Sequence, residues 1–432
     1  MLYRKIVKSL ENWYNSSHKK AALLTGARQV GKTTAVREFA RQHYQHFVEV
    51  NFVKRPIARQ AFDGDLDTST IVSNLSAMGF GPFVENETLV FFDEIQECPN
   101  ARTSIKFLVE EGRYDFIESG SLLGINYKEA PSYPVGFEQE YTMFPLDFEE
   151  FLWAKGVGKE VTENLRKDFE ALRPVPEFIH NQISKYYREF LVVGGMPEAV
   201  QTYIDNDDFG LTTEVQRSIL TTYRSDISKY ADKSQTLVKR IFDAIPSELG
   251  KQDKRFVLAD IERGASRRKY EDPTQWLVDA GIAYYSFNTS AFELPFEATE
   301  NRKLYKLYMV DTGLLCNMLL KGLQFNVMHG EIDISEGALT ENAVACALSA
   351  NAYPLHYYDR KSKQELDFII EKNGAISILE VKSGDDYMKH ASLDAAIRLH
   401  SEKIGQNIVL CKSNIQEQDA ILYLPLYMAM LL

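Results

Sequence analysis

LLTGARQVGKTTAVREFA, residues 23–40, places two glycines, a lysine and two adjacent threonines between an apolar run and an amphipathic stretch. Residues 21–25 predict a buried strand, and residues 32–42 follow a helical pattern with apolar side chains on one side. Between them, the segment from Gly26 to Thr33 matches G-x-x-x-x-G-K-[ST], a pattern that needs a strand before it and a helix after it. The stretch therefore predicts a loop that binds phosphate.

The residue types of this loop have physical roles toward a phosphate. Gly26 and Gly31 let the backbone curl so that its N–H groups point inward, and the helix N-terminus adds a favourable dipole. We expect Lys32 to reach the β- and γ-phosphates and the Thr33 hydroxyl to lie on Mg²⁺. A chance strand-to-helix turn is the alternative. The expected phosphate contacts are Gly26, Arg28, Gln29, Val30, Gly31, Lys32, Thr33, Thr34 and Ser119.

The second half of such a site should be an acid at the end of a buried strand. Residues 88–94, TLVFFDE, form a short apolar run that ends in Asp93 and Glu94. We expect Asp93 to hold Mg²⁺, mostly through water, and Glu94 to polarise the attacking water, which favours hydrolysis over binding alone. The alternative is a strand that ends at a solvated acidic turn. After the next predicted strand, Ser119 and Ser121 either sense the γ-phosphate or belong to a Ser/Gly turn.

Length and composition bound the class of protein. A length of 432 residues predicts two to four domains. The net charge is −12, so the chain lacks the broad basic surface of a dedicated nucleic-acid binder. The four cysteines form no C-x-x-C pair, which favours reduced thiols in a cytoplasmic protein. The start has no long apolar region, so we expect no signal peptide. The apolar end, residues 421–432, is too short to span a bilayer and predicts a core strand or a docking tail.

Alternating strands and helices in the first third predict a parallel α/β sheet. The pattern then turns helical, and near residue 300 it changes again to strands and helices. We therefore predict an α/β fold with four parts: a P-loop core at 1–150, a helical lid at 151–235, a winged-helix-like part at 236–299 and a C-terminal α/β domain at 300–432.

Five segments in a fixed order support a family resemblance: GARQVGKTT, LVFFDEIQ, ESGSLLG, PLDFEEFL (145–152) and FLVVGGMPEAV (190–200). The chain resembles a family of bacterial and archaeal AAA-type ATPases that couple an AAA domain to a C-terminal domain of unknown function. The resemblance implies this fold and ATP as the bound nucleotide. Together with the roles expected of Thr33, Asp93 and Glu94, it leads us to predict Mg²⁺ as a second cofactor and hydrolysis of ATP to ADP and phosphate. The chain also lacks an N-K-x-D guanine motif where one is expected, which favours ATP over GTP.

One departure from the family concerns an arginine. The family often has Gly-Arg shortly before the PLxFEEF segment, whereas this chain has Pro-Val-Gly-Phe at 134–137. Arg28, Arg102 and Arg113 are candidate substitutes. AAA-type enzymes also borrow an arginine from a neighbouring subunit, which would make activity depend on a homo-oligomer.

The middle of the chain resembles the helix–helix–helix–strand order of a winged helix, over residues 237–287. A basic cluster at the start of the third helix is where a recognition helix would meet DNA. It consists of Arg263, Arg267, Arg268 and Lys269, while Tyr270, Trp276 and Leu277 would face the core. The alternative is a solvated basic face on a helical subdomain.

The C-terminal third carries a D…E-x-K constellation, in which Asp367 precedes Glu380 and Lys382 across an Asn-Gly turn at 373–374. Side chains two apart on a strand share a face, so the two carboxylates can converge on a divalent metal while the lysine helps to activate water. The pattern is the signature of the restriction-endonuclease-like, PD-(D/E)xK fold. Glu341 on the preceding predicted helix is a candidate further acid.

There are two alternatives: the E-x-K at a strand end arises by chance, or the fold has persisted after cleavage was lost. The run Arg360 to Lys363 would hold DNA, or it is an ordinary charged loop. Two hypotheses for the whole chain follow. In one, ATP turnover gates DNA binding or cutting. In the other, ATP binding switches assembly or contact with a protein partner, and there is no nuclease activity. Nucleotide binding with negligible hydrolysis is a weaker third.

Overall fold

The structure is a computed structural model of the chain, and it describes residues 2–120, 134–231, 234–262, 267–320, 333–360 and 364–432. It divides into two compact units. The N-terminal unit comprises Arg4–Phe144 with Asp279–Gly281, and the C-terminal unit comprises Met1–Tyr3, Pro145–Val278 and Ile282–Leu432. The finer division into four domains stays a prediction.

The N-terminal unit is built on five parallel strands in the order β2-β3-β4-β1-β5. The strands are β1 (Ala21–Thr25), β2 (His46–Asn51), β3 (Thr88–Asp93), β4 (Asp115–Ser119) and β5 (Glu138–Thr142). The helices are α1 (Ile6–Tyr14), α2 (Lys32–His43), α3 (Thr68–Ala77) and α4 (Pro99–Glu111). Because the strands are parallel, their carboxyl ends meet at one edge of the sheet.

Apolar side chains cover both faces of this sheet, which is why its inner strands are apolar runs. Along β3, Val90 and Phe92 pack into the cluster that contains α3 and α4, while Leu89 and Phe91 pack against α1 and α2. The predicted α/β sheet is thereby confirmed for this unit. The polar strand β5 was not predicted from the sequence. It lies at the edge of the sheet, pairs there only with β1 and is half exposed, so its residues do not form the apolar run that predicts a buried strand.

The C-terminal unit combines helices with an eight-stranded mixed sheet in the order β12-β13-β11-β10-β9-β8-β6-β7. Its helices are α5 (Phe148–Ala154), α6 (Lys159–Glu170), α7 (Glu177–Val193), α8 (Pro197–Asn206), α9 (Phe209–Tyr230), α10 (Gln235–Leu249), α11 (Leu258–Ile261), α12 (Arg267–Asp279), α13 (Thr312–Leu320), α14 (Asp333–Ala350) and α15 (Ala391–His400). Its strands are β6 (Ala283–Thr289), β7 (Glu300–Met309), β8 (His356–Asp359), β9 (Glu365–Lys372), β10 (Ala375–Val381), β11 (Ile404–Cys411), β12 (Gln416–Gln418) and β13 (Ile421–Pro425).

Several sequence predictions are confirmed here. Asn373 and Gly374 both have positive φ, 55° and 76°, and join β9 to β10 as the two-residue hairpin turn expected of Asn-Gly. The chain end forms β13 and a buried 3₁₀ turn at Leu426–Leu431, so it is a core strand. The four cysteines are free thiols. Among the helices that the structure describes, none is long and apolar enough to cross a membrane.

The predicted helix–helix–helix–strand order of the middle part is present as α10, α11, α12 and β6. However, β6 pairs with β7 and with β8 inside the eight-stranded sheet. The sheet therefore crosses the boundary that the sequence suggested at 299/300. The winged-helix interpretation stays a prediction.

The two glycines of the GGMPEAV segment lie where other parts of the chain approach too closely for a side chain to fit. The Gly195 N–H donates to Asp311 Oδ2 at 2.6 Å, and its carbonyl accepts from the Leu146 N–H at 2.6 Å. A Cβ on Gly195 would lie 1.9 Å from the Leu146 carbonyl oxygen, and one on Gly194 would lie 2.4 Å from Asp311 Oδ1. The segment thus ties the start of the PLDFEEFL segment to the buried Asp311 at the end of β7.

We expect Gly195→Ala to destabilise the chain by about 2–3 kcal/mol, because the new methyl group would force two backbones apart. Chemical denaturation followed by circular dichroism measures the change. The matched control is Gly384→Ala in the same unit, where a Cβ would meet nothing within 4 Å. The control should shift stability by no more than about 0.5 kcal/mol. Equal stability of the two variants would contradict the packing argument.

Candidate functional site

The loop between β1 and α2 has the backbone of a phosphate cradle. Gly26, Gln29 and Gly31 all have positive φ, at 132°, 66° and 94°. A Cβ on Gly26 would lie 2.1 Å from the Met143 carbonyl oxygen, so only glycine fits there. Gly31 begins α2, which places the helix N-terminus against the loop.

Arg4 holds this loop from outside the motif. Its Nη1 donates to the Val30 carbonyl at 2.8 Å and its Nη2 donates to the Phe144 carbonyl at 2.6 Å. Val30 itself is fully buried, while Thr34 is exposed at the surface of α2. Sequence analysis missed the role of Arg4, because a lone arginine in an N-terminal segment matches no motif.

The Lys32 ammonium lies inside the loop. Its Nζ donates to the Gly26 and Ala27 carbonyls, both at 2.9 Å, and the residue is only 7% exposed. Burial lowers the pKa of Lys32 to about 8, although the nearby carboxylates of Glu94 and Asp93 act in the opposite direction. A buried cation held by neutral carbonyls is suited to an anion that replaces them.

Asp93 collects hydrogen bonds from three neighbouring elements. Thr33 Oγ1 lies 3.2 Å from both carboxylate oxygens, Asn51 Nδ2 donates to Oδ2 at 2.7 Å, and Ser119 Oγ donates to Oδ1. Burial raises the pKa of Asp93, while the hydrogen bonds from Ser119, Asn51 and Thr33 lower it. Sequence analysis did not predict a role for Asn51. Its position at the carboxyl end of a predicted strand was the available signal, because the carboxyl ends of parallel strands lie together, and Asn51 is indeed paired with Asp93.

Glu94 follows β3 in a left-handed conformation, with φ 58° and ψ 50°. Such backbone costs energy for a residue that is not glycine, and it concentrates at functional sites. Gln96 Nε2 donates to Glu94 Oε2 at 2.6 Å, and Glu94 is close enough to Lys32 to raise that pKa. The structure thus brings together the predicted set of Lys32, Thr33, Asp93, Glu94 and Ser119.

The three candidate arginines have different surroundings. Arg28 lies within electrostatic range of Lys32. Arg102 forms a buried two-bond pair with Glu138, at 3.0 and 2.8 Å. Arg113 precedes β4 and binds Glu85, at the amino edge of the sheet and away from the phosphate loop. Of the three, Arg28 is the one that belongs to the phosphate loop itself. Ser121 lies outside the described residues.

The residues present fit a nucleotide with its metal. The loop offers backbone N–H groups and a buried ammonium, and the Asp93 carboxylate with the Thr33 hydroxyl offers the oxygen ligands that Mg²⁺ prefers. Thr33 and Asp93 would hold the metal, which would neutralise charge on the phosphates.

The constellation around Asp367 is also assembled. Asp367 and Glu380 lie on the paired strands β9 and β10, and Asp367 Oδ2 accepts from the Val381 N–H at 2.8 Å. Lys382 Nζ lies 2.8 Å from Glu380 Oε1. Burial raises the pKa of Asp367 to about 8, and the carboxylates of Glu341 and Glu380 add to the effect.

Glu341, the predicted further acid, is already engaged. Its carboxylate accepts from Tyr308 Oη at 2.5 Å, lies 3.2 Å from Lys306 Nζ, and pairs with Lys254. Although burial acts against it, the charges of Lys254 and Lys306 lower the pKa of Glu341 to about 2. Within the described ranges, no group of three or more His, Cys, Asp and Glu side chains is placed to hold a metal ion.

The basic residues suggested for DNA contact are only partly described. Arg263 and the residues Lys361, Ser362 and Lys363 lie outside the described ranges. Lys269 Nζ lies 2.9 Å from Glu262 Oε1, so it is neutralised locally. The predicted core side chains of α12, Tyr270, Trp276 and Leu277, are buried.

Three family models match the chain. One, described as an AAA domain, matches residues 18–152, and two described as domains of unknown function match residues 184–324 and 336–428. No curated protein gives a sequence match. The first match and the parallel sheet with its loop support an AAA domain at residues 18–152 and ATP binding by it.

Solved structures provide a second comparison. The chain is similar to a Walker-type ATPase of Pyrococcus abyssi, with 15% identity, a TM-score of 0.45, and coverage of 74% of this chain and 96% of that one. It is also similar to the ORC1 protein of Aeropyrum pernix, solved in complex with DNA, with 12% identity, a TM-score of 0.28, and 74% and 91% coverage. It is similar as well to Cdc6p of Pyrobaculum aerophilum, with 12% identity, a TM-score of 0.26, and coverage of 76% of this chain and 94% of that one.

The lowered pKa of Lys32 predicts a pH-dependent affinity for nucleotide. The charged ammonium binds phosphate, so affinity should fall once the pH rises above the pKa of about 8 in the free protein. Between pH 7 and pH 9 the affinity for ADP should drop about tenfold. Calorimetric titration at the two pH values measures it. An affinity that is constant over this range would contradict the burial of a titrating Lys32.

Proposed function

We propose that the chain is a Mg²⁺-dependent ATP hydrolase. Lys32 binds the β- and γ-phosphates, Thr33 and Asp93 hold the metal, and Glu94 polarises the attacking water. Ser119, between Asp93 and the phosphate loop in the sheet order, contacts the γ-phosphate. The reaction is ATP and water to ADP and phosphate.

The observation that supports this proposal most directly is the convergence on Asp93. Hydrogen bonds from Thr33, Asn51 and Ser119 hold its carboxylate at the carboxyl edge of the sheet, beside the ammonium of Lys32. The Thr33 hydroxyl belongs to the start of α2 at the phosphate loop, so this contact joins the loop to the acidic end of β3. Glu94 follows directly, in a left-handed backbone conformation that is strained for a residue other than glycine.

We expect Lys32→Ala to abolish nucleotide binding, and Glu94→Gln to keep binding while phosphate release falls about 10²- to 10⁴-fold. Phosphate release with Mg-ATP and calorimetric binding of ADP separate the two effects. The matched controls are Lys54→Ala, an exposed lysine of the same unit, and Glu87→Gln, an exposed acid at the other end of β3. Normal turnover in Glu94→Gln would contradict its role. Absence of turnover in the unaltered chain, with binding intact, would leave a nucleotide-binding switch.

A second candidate function is metal-dependent cleavage of nucleic acid at Asp367, Glu380 and Lys382, gated by ATP turnover. One specific observation favours it: Glu380 Oε2 is buried and has no hydrogen-bond partner in the described structure. An unpaired buried carboxylate oxygen beside the buried Asp367 is costly, and a divalent cation between them would remove the cost. The ion pairs of Glu341 count against a larger metal site. Without cleavage, the C-terminal unit would serve as a docking module for a protein partner.

Nicking of supercoiled DNA with Mg²⁺ or Mn²⁺ tests this candidate in the same tubes as phosphate release. A nuclease site would be supported if Lys382→Ala reduces cleavage at least about 100-fold and Lys389→Ala leaves cleavage unchanged. Lys389 is an exposed lysine that pairs only locally with Asp386. Intact DNA in all tubes, with turnover unaffected by DNA, would contradict both the nuclease and its gating.

A further inference from the structure

A cavity of about 380 Å³ lies beside α7 in the C-terminal unit. One wall is a face of α7, and the opposite wall comes from Lys412 after β11 and from the buried chain end, with Leu426 and Tyr427. Its volume falls in the range of sites that bind small molecules. The proposed ATPase chemistry makes no use of it.

Three polar side chains of α7 line this cavity: Asn181, Ser184 and Arg188. Their spacing of three and four residues places them on one face of the helix. Among the described residues, none of these three side chains has a hydrogen-bond or ion-pair partner. Three uncommitted polar groups that line one cavity are the pattern of a binding wall.

The charge of the cavity is set by Arg188. On the opposite wall, Lys412 Nζ lies 3.2 Å from Glu336 Oε1, so that pair is neutral overall. His180 contacts Tyr427 Oη through Nδ1 at 3.0 Å, and burial lowers the pKa of this histidine, so it adds no charge at neutral pH. Among the described residues that line the cavity, the Arg188 guanidinium therefore remains uncompensated, and its planar fork matches a carboxylate or a phosphate.

The floor of the cavity is apolar and aromatic. Leu191 is 2% exposed, Leu426 7% and Tyr427 1%, and all three contribute to the lining. Tyr427 is fixed by its contact with His180 and by the ring of Phe148 at 6.5 Å. A flat apolar body fits beside this floor, while a charged group reaches Arg188 at the rim.

We propose that this cavity binds a small organic anion, a carboxylate or phosphate monoester with a planar apolar body. Arg188 holds the anionic group, Ser184 and Asn181 donate hydrogen bonds to it, and the body lies against Leu426 and Tyr427. The site lies wholly within the C-terminal unit and does not rest on the proposed ATPase activity.

Calorimetric titration of the full chain with phenyl phosphate, benzoate and the neutral benzyl alcohol tests the proposal. We expect at least one of the two anions to bind with a Kd below about 1 mM, and benzyl alcohol to bind at least about tenfold more weakly. The preferred anion then tells whether phosphate or carboxylate is the natural group. The Lys32→Ala variant should bind equally well, which separates this cavity from the phosphate loop.

The matched variants change the same helix. Arg188→Met should weaken binding at least about tenfold and Ser184→Ala about threefold, while Lys185→Met, an exposed neighbour outside the cavity, should change it less than twofold. Arg188 is exposed and unpaired, so its variant should keep the unfolding temperature of the unaltered chain. The proposal is wrong if neither anion binds up to about 5 mM, if Arg188→Met and Lys185→Met behave alike, or if Lys32→Ala abolishes binding.

Discussion

The carboxylate of Asp93 is the point on which the N-terminal unit depends. It accepts hydrogen bonds from Thr33 in α2, Asn51 in β2 and Ser119 in β4. These donors come from three different elements, and only a parallel sheet with β3 between β2 and β4 brings their ends together. Because burial alone raises the pKa of this acid, each donor also helps to keep it ionised, which metal binding requires.

The C-terminal unit depends on a different constraint: its buried charged side chains need partners of opposite charge. Lys306 is fully buried, and it lies 3.2 Å from Glu341 and 2.8 Å from Glu365. Lys254, which precedes α11, also pairs with Glu341, so this one carboxylate links the middle part of the chain to the eight-stranded sheet. Breaking one partner of such a cluster leaves an uncompensated charge, which usually costs several kcal/mol. The unit therefore depends on the cluster keeping all of its partners, whether or not Asp367 and Glu380 ever hold a metal.

The sequence predicted what depends on local pattern. The phosphate loop, the buried strand before Asp93, the Asn373–Gly374 hairpin and the final core strand are all present as expected. These features follow from residue type and spacing alone. The pairing of Asn51 with Asp93 depends on strand order, which the sequence does not reveal.

Other features escaped for related reasons. The strand β5 is polar because it lies at an edge of its sheet. Arg4 acts through contacts with Val30 and Phe144, which are distant in the sequence, and no periodic pattern predicts such contacts. The sequence predicts Glu341 as a further acid of the Asp367 constellation, yet Lys254, Lys306 and Tyr308 surround it, and those contacts arise only in three dimensions.

The most direct test of the central claim is the effect of Mg²⁺ on ATP binding, measured by calorimetry in the unaltered chain and in Asp93→Asn. If Asp93 holds the metal beside the phosphates, Mg²⁺ should strengthen ATP binding to the unaltered chain at least about tenfold. In Asp93→Asn that gain should disappear while metal-free binding stays close to normal. An equal Mg²⁺ effect in both proteins, or no ATP binding by the unaltered chain, would contradict the account.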